Sequence, residues 1–117
     1  MIEIRILEDN EKQNIRPLYE EVFQDSEYFT SYYFNEYIKG AINFVYQIDD
    51  EIVSIAAIHE KQLIISEKSA KAGYVFAVAT KKEYRGRGFM GALLKEIEAY
   101  ALKNNLSPNL VHHVFCI

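Results

Sequence analysis

The sequence predicts a mixed fold, α+β or mixed α/β, with helices layered on one sheet in the order β-α-α-β-β-β-α-β. Three observations carry that expectation. Ile2, Ile4 and Ile6 alternate with Glu3 and Arg5, the period of a half-buried strand. Apolar residues recur at helical spacing in segments after residue 14, after Ser26 and after Gly88. A block of β-rich runs separates the second segment from the third. At 117 residues, with no repeat, low-complexity tract or linker-like stretch, one domain over 1–117 is expected.

Each element has its own signal. Asp9-Asn10 offers a helix cap, with Gln13 three residues after Asn10. Ile15, Leu18, Tyr19, Val22 and Phe23 then form one buried stripe. Pro17 constrains this helix: either it starts near Asn14 with Pro17 in its first turn, or it kinks. Asp25-Ser26 reads as the next cap, and Tyr28, Phe29, Tyr32, Tyr33, Phe34 and Tyr37 form an aromatic helix that Gly40 stops. Ile42–Ile48 and Ile52–Ile58 are strands joined by Asp49-Asp50-Glu51, and Leu63–Ile65 continues the sheet. A turn at Ser66-Glu67-Lys68-Ser69 leads to a long strand over Ala70–Thr80. Phe89, Met90, Leu93, Leu94, Ile97 and Ala101 keep helical spacing to about Asn105, Pro108 ends any continuation, and Leu110–Ile117 suits a last strand.

Composition narrows the class. Half the residues are apolar and 26% are charged, ordinary values for a soluble globular chain. No apolar run reaches the roughly 18 residues of a membrane span, and the N-terminus lacks a signal-peptide layout, so a cytoplasmic protein is expected. The single cysteine, Cys116, excludes an intrachain disulfide and reads as a half-buried strand residue. No Cys/His cluster has zinc spacing, and no metal is expected. Residues 1–60 carry net −9 and residues 61–117 net +5. The basic half would suit an anionic ligand and the acidic half a cationic one, although two solvated surfaces explain the split equally well. Nucleic-acid binding is not expected of a chain with net charge −4 whose basic residues cluster at one loop.

That loop is Tyr84-Arg85-Gly86-Arg87-Gly88, between the strand ending at Val78-Ala79-Thr80 and the next helix. A helix N-terminus has unpaired N–H groups and the positive end of the dipole, a ready phosphate site. Gly86 and Gly88 permit unusual φ and close approach of backbone to pyrophosphate, and Lys81, Lys82, Arg85 and Arg87 add charge. Gly86, Gly88 and Gly91 also satisfy G-x-G-x-x-G. A dinucleotide-binding domain would place that pattern early, with an acid some 20 residues later. Here the loop is late and no Asp or Glu follows Glu98. A Walker loop would need G-K-[ST], which is absent.

R-G-x-G after a V-A-T strand end and before F-M-G-A-L-L resembles motif A of the GNAT (GCN5-related N-acetyltransferase) family. The resemblance covers residues 1 to about 106. Ile15–Ser26 and Val78–Met90 look more narrowly like the N-terminal domain of the Eis-type branch. The resemblance implies a central, mostly antiparallel sheet flanked by helices, and transfer of an acetyl group from acetyl-CoA to an amine. It also implies a cofactor site: Val78, Ala79 and Thr80 would offer backbone to the pantetheine arm, and Arg85, Gly86, Arg87, Gly88, Phe89, Met90 and Gly91 would wrap the pyrophosphate. Lys82 stands where many relatives have proline, and the loop needs φ there rather than the ring.

After Ser107-Pro108 the likeness fails, so the expectation is a domain incomplete at its C-terminus, from truncation, a frame shift or fragmentation. A homo-oligomer through the open sheet edge would replace the missing elements. The alternatives to an acetyltransferase are a truncated, non-catalytic CoA-binding module and, less favoured, a dinucleotide-binding domain. No catalytic residue is assigned. His59 and Glu60, at an expected strand end, are candidate bases or solvated residues, and at most one of His112 and His113 points inward. The aromatic helix is either core or the wall of an amine site, with acids such as Asp25 and Glu27 to hold a cation.

Overall fold

A computed structural model describes residues 2–65, 68–104 and 106–115, with side chains described for 2–60, 71–104 and Leu106. β1 (Ile2–Ile6) leads into a 3-10 segment (Asp9–Ile15), α1 (Arg16–Phe23) and α2 (Glu27–Asn35). A short 3-10 turn (Tyr37–Gly40) precedes β2 (Ile42–Ile48), β3 (Glu51–Ile65) and β4 (Lys68–Thr80). Another 3-10 turn (Lys82–Tyr84), α3 (Phe89–Lys103) and β5 (Ser107–Phe115) complete it. The strands lie in chain order, β1 through β5. Neighbours among the first four are antiparallel, and β5 runs parallel to β4 because α3 carries the chain back between them.

The expected element order holds, and the differences are local. Residues 9–15 wind as a 3-10 helix, and α1 begins at Arg16 with Pro17 in its first turn, where a missing N–H costs nothing. The first cap is one residue earlier than expected: the Glu8 amide donates to Glu11 Oε1 at 3.1 Å. Arg5 fixes that carboxylate with two hydrogen bonds of 3.0 and 2.7 Å, so Glu11 and not Gln13 closes the turn. Gln13 instead donates to the Phe34 carbonyl at 3.1 Å. Ser26 caps α2, its Oγ accepting from the Phe29 amide at 3.1 Å. α2 ends at Asn35, and Gly40 closes the 3-10 turn that follows. A Cβ at Gly40 would lie 2.9 Å from the His59 ring, so the close approach of that ring requires glycine. Glu51 is the first residue of β3 and not part of the turn, and β3 is continuous to Ile65. Lys68 and Ser69 belong to β4, while Ser66 and Glu67 lie outside the described residues, as do Asn105, Cys116 and Ile117. β5 begins at Ser107, before Pro108.

Burial divides the sheet into two faces. Leu18, Tyr19, Tyr33 and Phe34 of α1 and α2 pack with Val45, Ile55, Ala57 and Phe76 on one face. Leu93, Ile97 and Ala101 of α3 pack with Phe44, Ala56, Ile58 and Val75 on the other. The alternation Phe44/Val45 and Ile55/Ala56/Ala57/Ile58 is the strand period distributing side chains between the two layers.

One buried cation ties the first layer together. Lys12 is 6% exposed, and its Nζ donates to the carbonyls of Ile38 (3.1 Å) and Ala41 (2.7 Å). Replacing Lys12 by methionine keeps the stem but strips a donor from both carbonyls. The expected cost is about 2 kcal/mol, read as a lowered midpoint in urea at unchanged m-value.

Candidate functional site

The end of β4 is clamped to β3. Ser54 Oγ donates to the Ala79 carbonyl at 3.1 Å and lies 2.9 Å from Thr80 Oγ1, and the Lys81 amide donates to the Val53 carbonyl at 2.8 Å. From that fixed point the chain makes one 3-10 turn, and the Arg85 Nε folds back to donate to the Thr80 carbonyl at 3.0 Å. Gly86 and Gly88 follow with φ of 78° and 84°, and Gly88 caps α3 with no side chain on the first amides. A Cβ at Gly86, Gly88 or Gly91 would meet no atom within 4 Å. At Gly86 and Gly88 the chain therefore needs glycine for its backbone angle, and the space beside all three is open.

The result is a hollow of about 210 Å³ lined by Thr80, Tyr84, Arg85, Gly86, Gly88, Phe89 and Met90. Six of the ten residues expected at the cofactor site thus surround one hollow. Gly91 lies one residue further into α3, and Arg87 sits with its guanidinium 5.3 Å from the centre of the Tyr84 ring. Val78 and Ala79 are fully buried, backbone included, and both sit in the ladder, Val78 opposite Phe115 of β5 and Ala79 opposite Ile55 of β3. Lys81 departs from expectation: it is paired with Glu51 and lines a separate polar cleft of about 600 Å³ beside Arg5, Glu21 and Asp50. Tyr84 was absent from the expected site although its neighbours were present. Its hydroxyl donates to Glu51 Oε1 at 3.1 Å.

Glu51 therefore joins the β2–β3 turn to the loop. Its hydrogen bond from Lys81, and then that from Tyr84, hold its carboxyl below the ordinary glutamate value. The same bonds raise the Lys81 ammonium and the Tyr84 phenol above theirs.

A second feature lies further back on β4. Between the pairs Ala57–Phe76 and Ile55–Ala79, β3 contributes Ala56 alone, whereas β4 contributes Ala77 and Val78. This is a β-bulge, and Ala77 takes φ of 53°. Phe76 and Ala77 consequently face the α1/α2 layer together, while Val78 turns to α3. Pairing with β5 shifts at the same place, between Val75 and Val78. Sequence reasoning missed Ala77, because a run of small apolar residues buried on both sides carries no period that an extra residue would break.

Beside Ala77, between α1, α2 and β4, is a cleft of about 480 Å³. Its walls include Tyr19, Phe29, Tyr32, Tyr33, Tyr37 and Phe76, with Asp25 as the one charged residue among those described. Tyr19 stacks on Tyr33 at 4.7 Å, and its hydroxyl donates to Asp25 Oδ2 at 2.9 Å. Burial, then Asp25, pushes the Tyr19 phenol up, and burial does the same for Tyr33, so both stay protonated near neutral pH. The Tyr33 hydroxyl is buried without a hydrogen-bond partner. The aromatic helix thus divides: Phe34 is core, Phe29, Tyr32 and Tyr37 line the cleft, and Tyr28 is 86% exposed. Glu27 does not reach the cleft; it faces Arg16 at 3.5 Å.

The histidines take other places. His59 lies within β3 and not at its end, its Nε2 3.1 Å from the Tyr37 carbonyl and its ring stacked on Phe76. Glu60 is exposed. β5 sets His112 opposite Tyr74 and His113 opposite Val75. Among the described residues no group of three or more His, Cys, Asp or Glu is placed to hold a metal, and no helix is long and apolar enough to cross a membrane.

A strand bulged at its centre thus runs into a glycine-bounded hollow at a helix N-terminus, where unpaired amides favour an anion. The Acetyltransferase (GNAT) domain family matches residues 3–108, and the chain belongs to that family. Its function is therefore acetyl transfer, and neither the non-catalytic module nor the dinucleotide-binding alternative is favoured. A probable N-acyltransferase of Enterococcus faecalis superposes with a TM-score of 0.82 at 18% identity, over 92% of this chain and 28% of that one. A predicted acetyltransferase with acetyl-CoA from Clostridium acetobutylicum gives 0.79 at 16% identity, over 99% and 82%. An aminoglycoside acetyltransferase from an uncultured soil sample, in complex with sisomicin, gives 0.73 at 18% identity, over 97% and 77%. At these identities the likeness is one of fold. No curated protein matches the sequence.

Two outcomes follow from the side chains. Tyr33→Phe removes a buried hydroxyl that has no partner, so it should stabilise the free protein by about 1 kcal/mol, seen as a melting point a few degrees higher. The Glu51 contacts contribute stability above the ordinary glutamate value, and that contribution is lost as pH falls through the lowered folded value. Melting points of wild type and Glu51→Gln should therefore differ by a constant amount above about pH 5.5, begin to converge near the ordinary glutamate value of about 4.3 and meet only below the lowered folded value. A gap that persists at lower pH would exclude the carboxylate as its source.

Proposed function

We propose that this chain binds acetyl-CoA with its pyrophosphate in the β4–α3 hollow and passes the acetyl group to a primary amine held in the aromatic cleft. The observation that carries this is the shared strand. Thr80 lines the hollow and Ala77 lines the cleft, three residues apart on β4. The free amides of Phe89, Met90 and Gly91 and the dipole of α3 favour the pyrophosphate. Arg85 and Arg87, both exposed beside it, add charge. Between hollow and cleft, Val78, Ala79 and Thr80 would offer backbone to the pantetheine arm. Among the described register pairs none opposes Ala77 in β3 or β5, and we assign the thioester end to this break in the ladder.

The chemistry is then mostly placement. The amine nitrogen, as its neutral form, attacks the thioester carbonyl carbon. A C–N bond forms, the C–S bond breaks, the thiolate takes up a proton, and the new amide nitrogen loses one. Tyr19, whose hydroxyl donates to Asp25, and Tyr33, whose hydroxyl is buried, stay protonated and are not bases.

The finer likeness to the Eis-type branch belongs to the same proposal, supported by the segments at 15–26 and 78–90. So do a single domain spanning 1–117 and a second copy adding at a sheet edge, β1 or β5.

Acetyl-CoA at about 100 times its Kd should stabilise the chain by about 2.7 kcal/mol, visible as a thermal shift. Gly88→Asp tests the hollow, because aspartate tolerates a positive φ and suits a helix N-terminus while repelling pyrophosphate. The variant should melt as a folded protein and lose the shift. An undiminished shift would place the pyrophosphate elsewhere.

A further inference from the structure

The cleft's composition carries more than its position. Eight of its ten described lining residues are aromatic, and the others are Asp25 and Ala77. We propose that this cleft selects a primary amine carried on a flat aromatic body, an arylalkylamine, with its ammonium at Asp25 and its ring among the tyrosine and phenylalanine faces. This rests on the cleft's being the acceptor site.

Three observations support the choice. First, the volume of about 480 Å³ suits one small molecule, within the usual range of about 300–1,000 Å³. Second, the charge is single. Asp25 is oriented by the Tyr19 hydroxyl, and the nearby rings offer negative faces to a cation. One carboxylate matches one ammonium. Third, the lining is mainly ring surface, its polar groups being the tyrosine hydroxyls and the Asp25 carboxylate. A polyhydroxylated polycation would bring many donors and acceptors against ring faces, each losing water without a partner. Phe29 and Tyr32, half exposed at the mouth, offer apolar surface that an aromatic ligand would cover. The ammonium loses its proton to solvent water at the open cleft before attack, so Asp25 holds the amine on arrival and the neutral nitrogen reacts after release from it.

The test combines calorimetric binding with thiol release from acetyl-CoA, using phenethylamine, 2-phenylethanol, butylamine and sisomicin. Phenethylamine should bind about tenfold more tightly than either the neutral alcohol or butylamine, and alone among the amines should drive substantial thiol release. Asp25→Asn, which keeps an acceptor for Tyr19, should weaken phenethylamine about tenfold without affecting 2-phenylethanol. Tyr32→Ala, at a half-exposed position that the fold tolerates, should weaken both aromatic compounds. Thiol release with sisomicin or butylamine equal to that with phenethylamine would overturn the arylalkylamine class and leave acetyl transfer standing. Tight phenethylamine binding, lost in Asp25→Asn, with no thiol release from any amine would keep the ligand class and remove the acceptor reading. No phenethylamine binding would overturn the proposal outright.

Discussion

Both hollows depend on the extra residue in β4. Ala77 and Val78 oppose Ala56 alone, so the strand changes phase at its centre. Before the bulge Val75 faces α3 and Phe76 faces α1 and α2; after it Val78 faces α3 and Ala79 faces α1 and α2, with Ala77 added to the latter face. Were the strand to run through Ala77 in regular alternation, every residue from Val78 onward would change sides, and Thr80 would leave the hollow. An alanine at φ of 53° costs roughly 1–2 kcal/mol. The cost is met by complete burial of Val78 and Ala79 and by the bonds from Ser54 and Lys81 that fix the strand end.

The clamp explains why a glycine loop can hold a shape at all. The space where Gly86 and Gly88 would carry a Cβ is open, so no side-chain packing there restrains the loop and order comes from its flanks. On one side α3 is anchored by Leu93 and Ile97 in the core. On the other, Glu51 reaches from the start of β3 to Lys81 and Tyr84, and Arg85 holds Thr80. A charge that reads as a phosphate ligand in sequence is thereby part of the frame. Arg85 lines the hollow and Arg87 is exposed in the same loop, while Lys81 is held by Glu51 at the strand end.

What the sequence disclosed follows from what periodicity records. The α3 stripe, the Ser26 cap and the alternation of β1 were legible because one face of each element meets the core and the other does not. Gly86 and Gly88 were legible because few residues other than glycine suit their angles. The bulge was not, because β4 is apolar on both faces. Lys12 was not, because a lysine is ordinarily exposed and only the meeting of two chain segments supplies its carbonyls. Glu51 read as a turn residue since its role lies with residues 30 and 33 positions later. The aromatic helix showed its stripe but not its division between core and cleft, which depends on how α1 and β4 close around it.

The separation of the two hollows gives the proposed reaction its geometry. Three residues of extended strand span about 10 Å, the distance from Ala77 to Thr80 along β4. A donor anchored by its phosphates at α3 would have to reach past Ala79 and Val78, which pair with β3 and β5, to bring a thioester to the bulge. An amine in the cleft meets it there from the α1/α2 side, since Ala77 is a wall of that cleft. Alanine is suited to the position: a larger side chain facing the same layer as Phe76 would fill the space where the two substrates meet. In the proposed reaction, then, one extra residue sets the phase of the strand leading into the loop and leaves only a methyl group at the wall of the cleft nearest the donor.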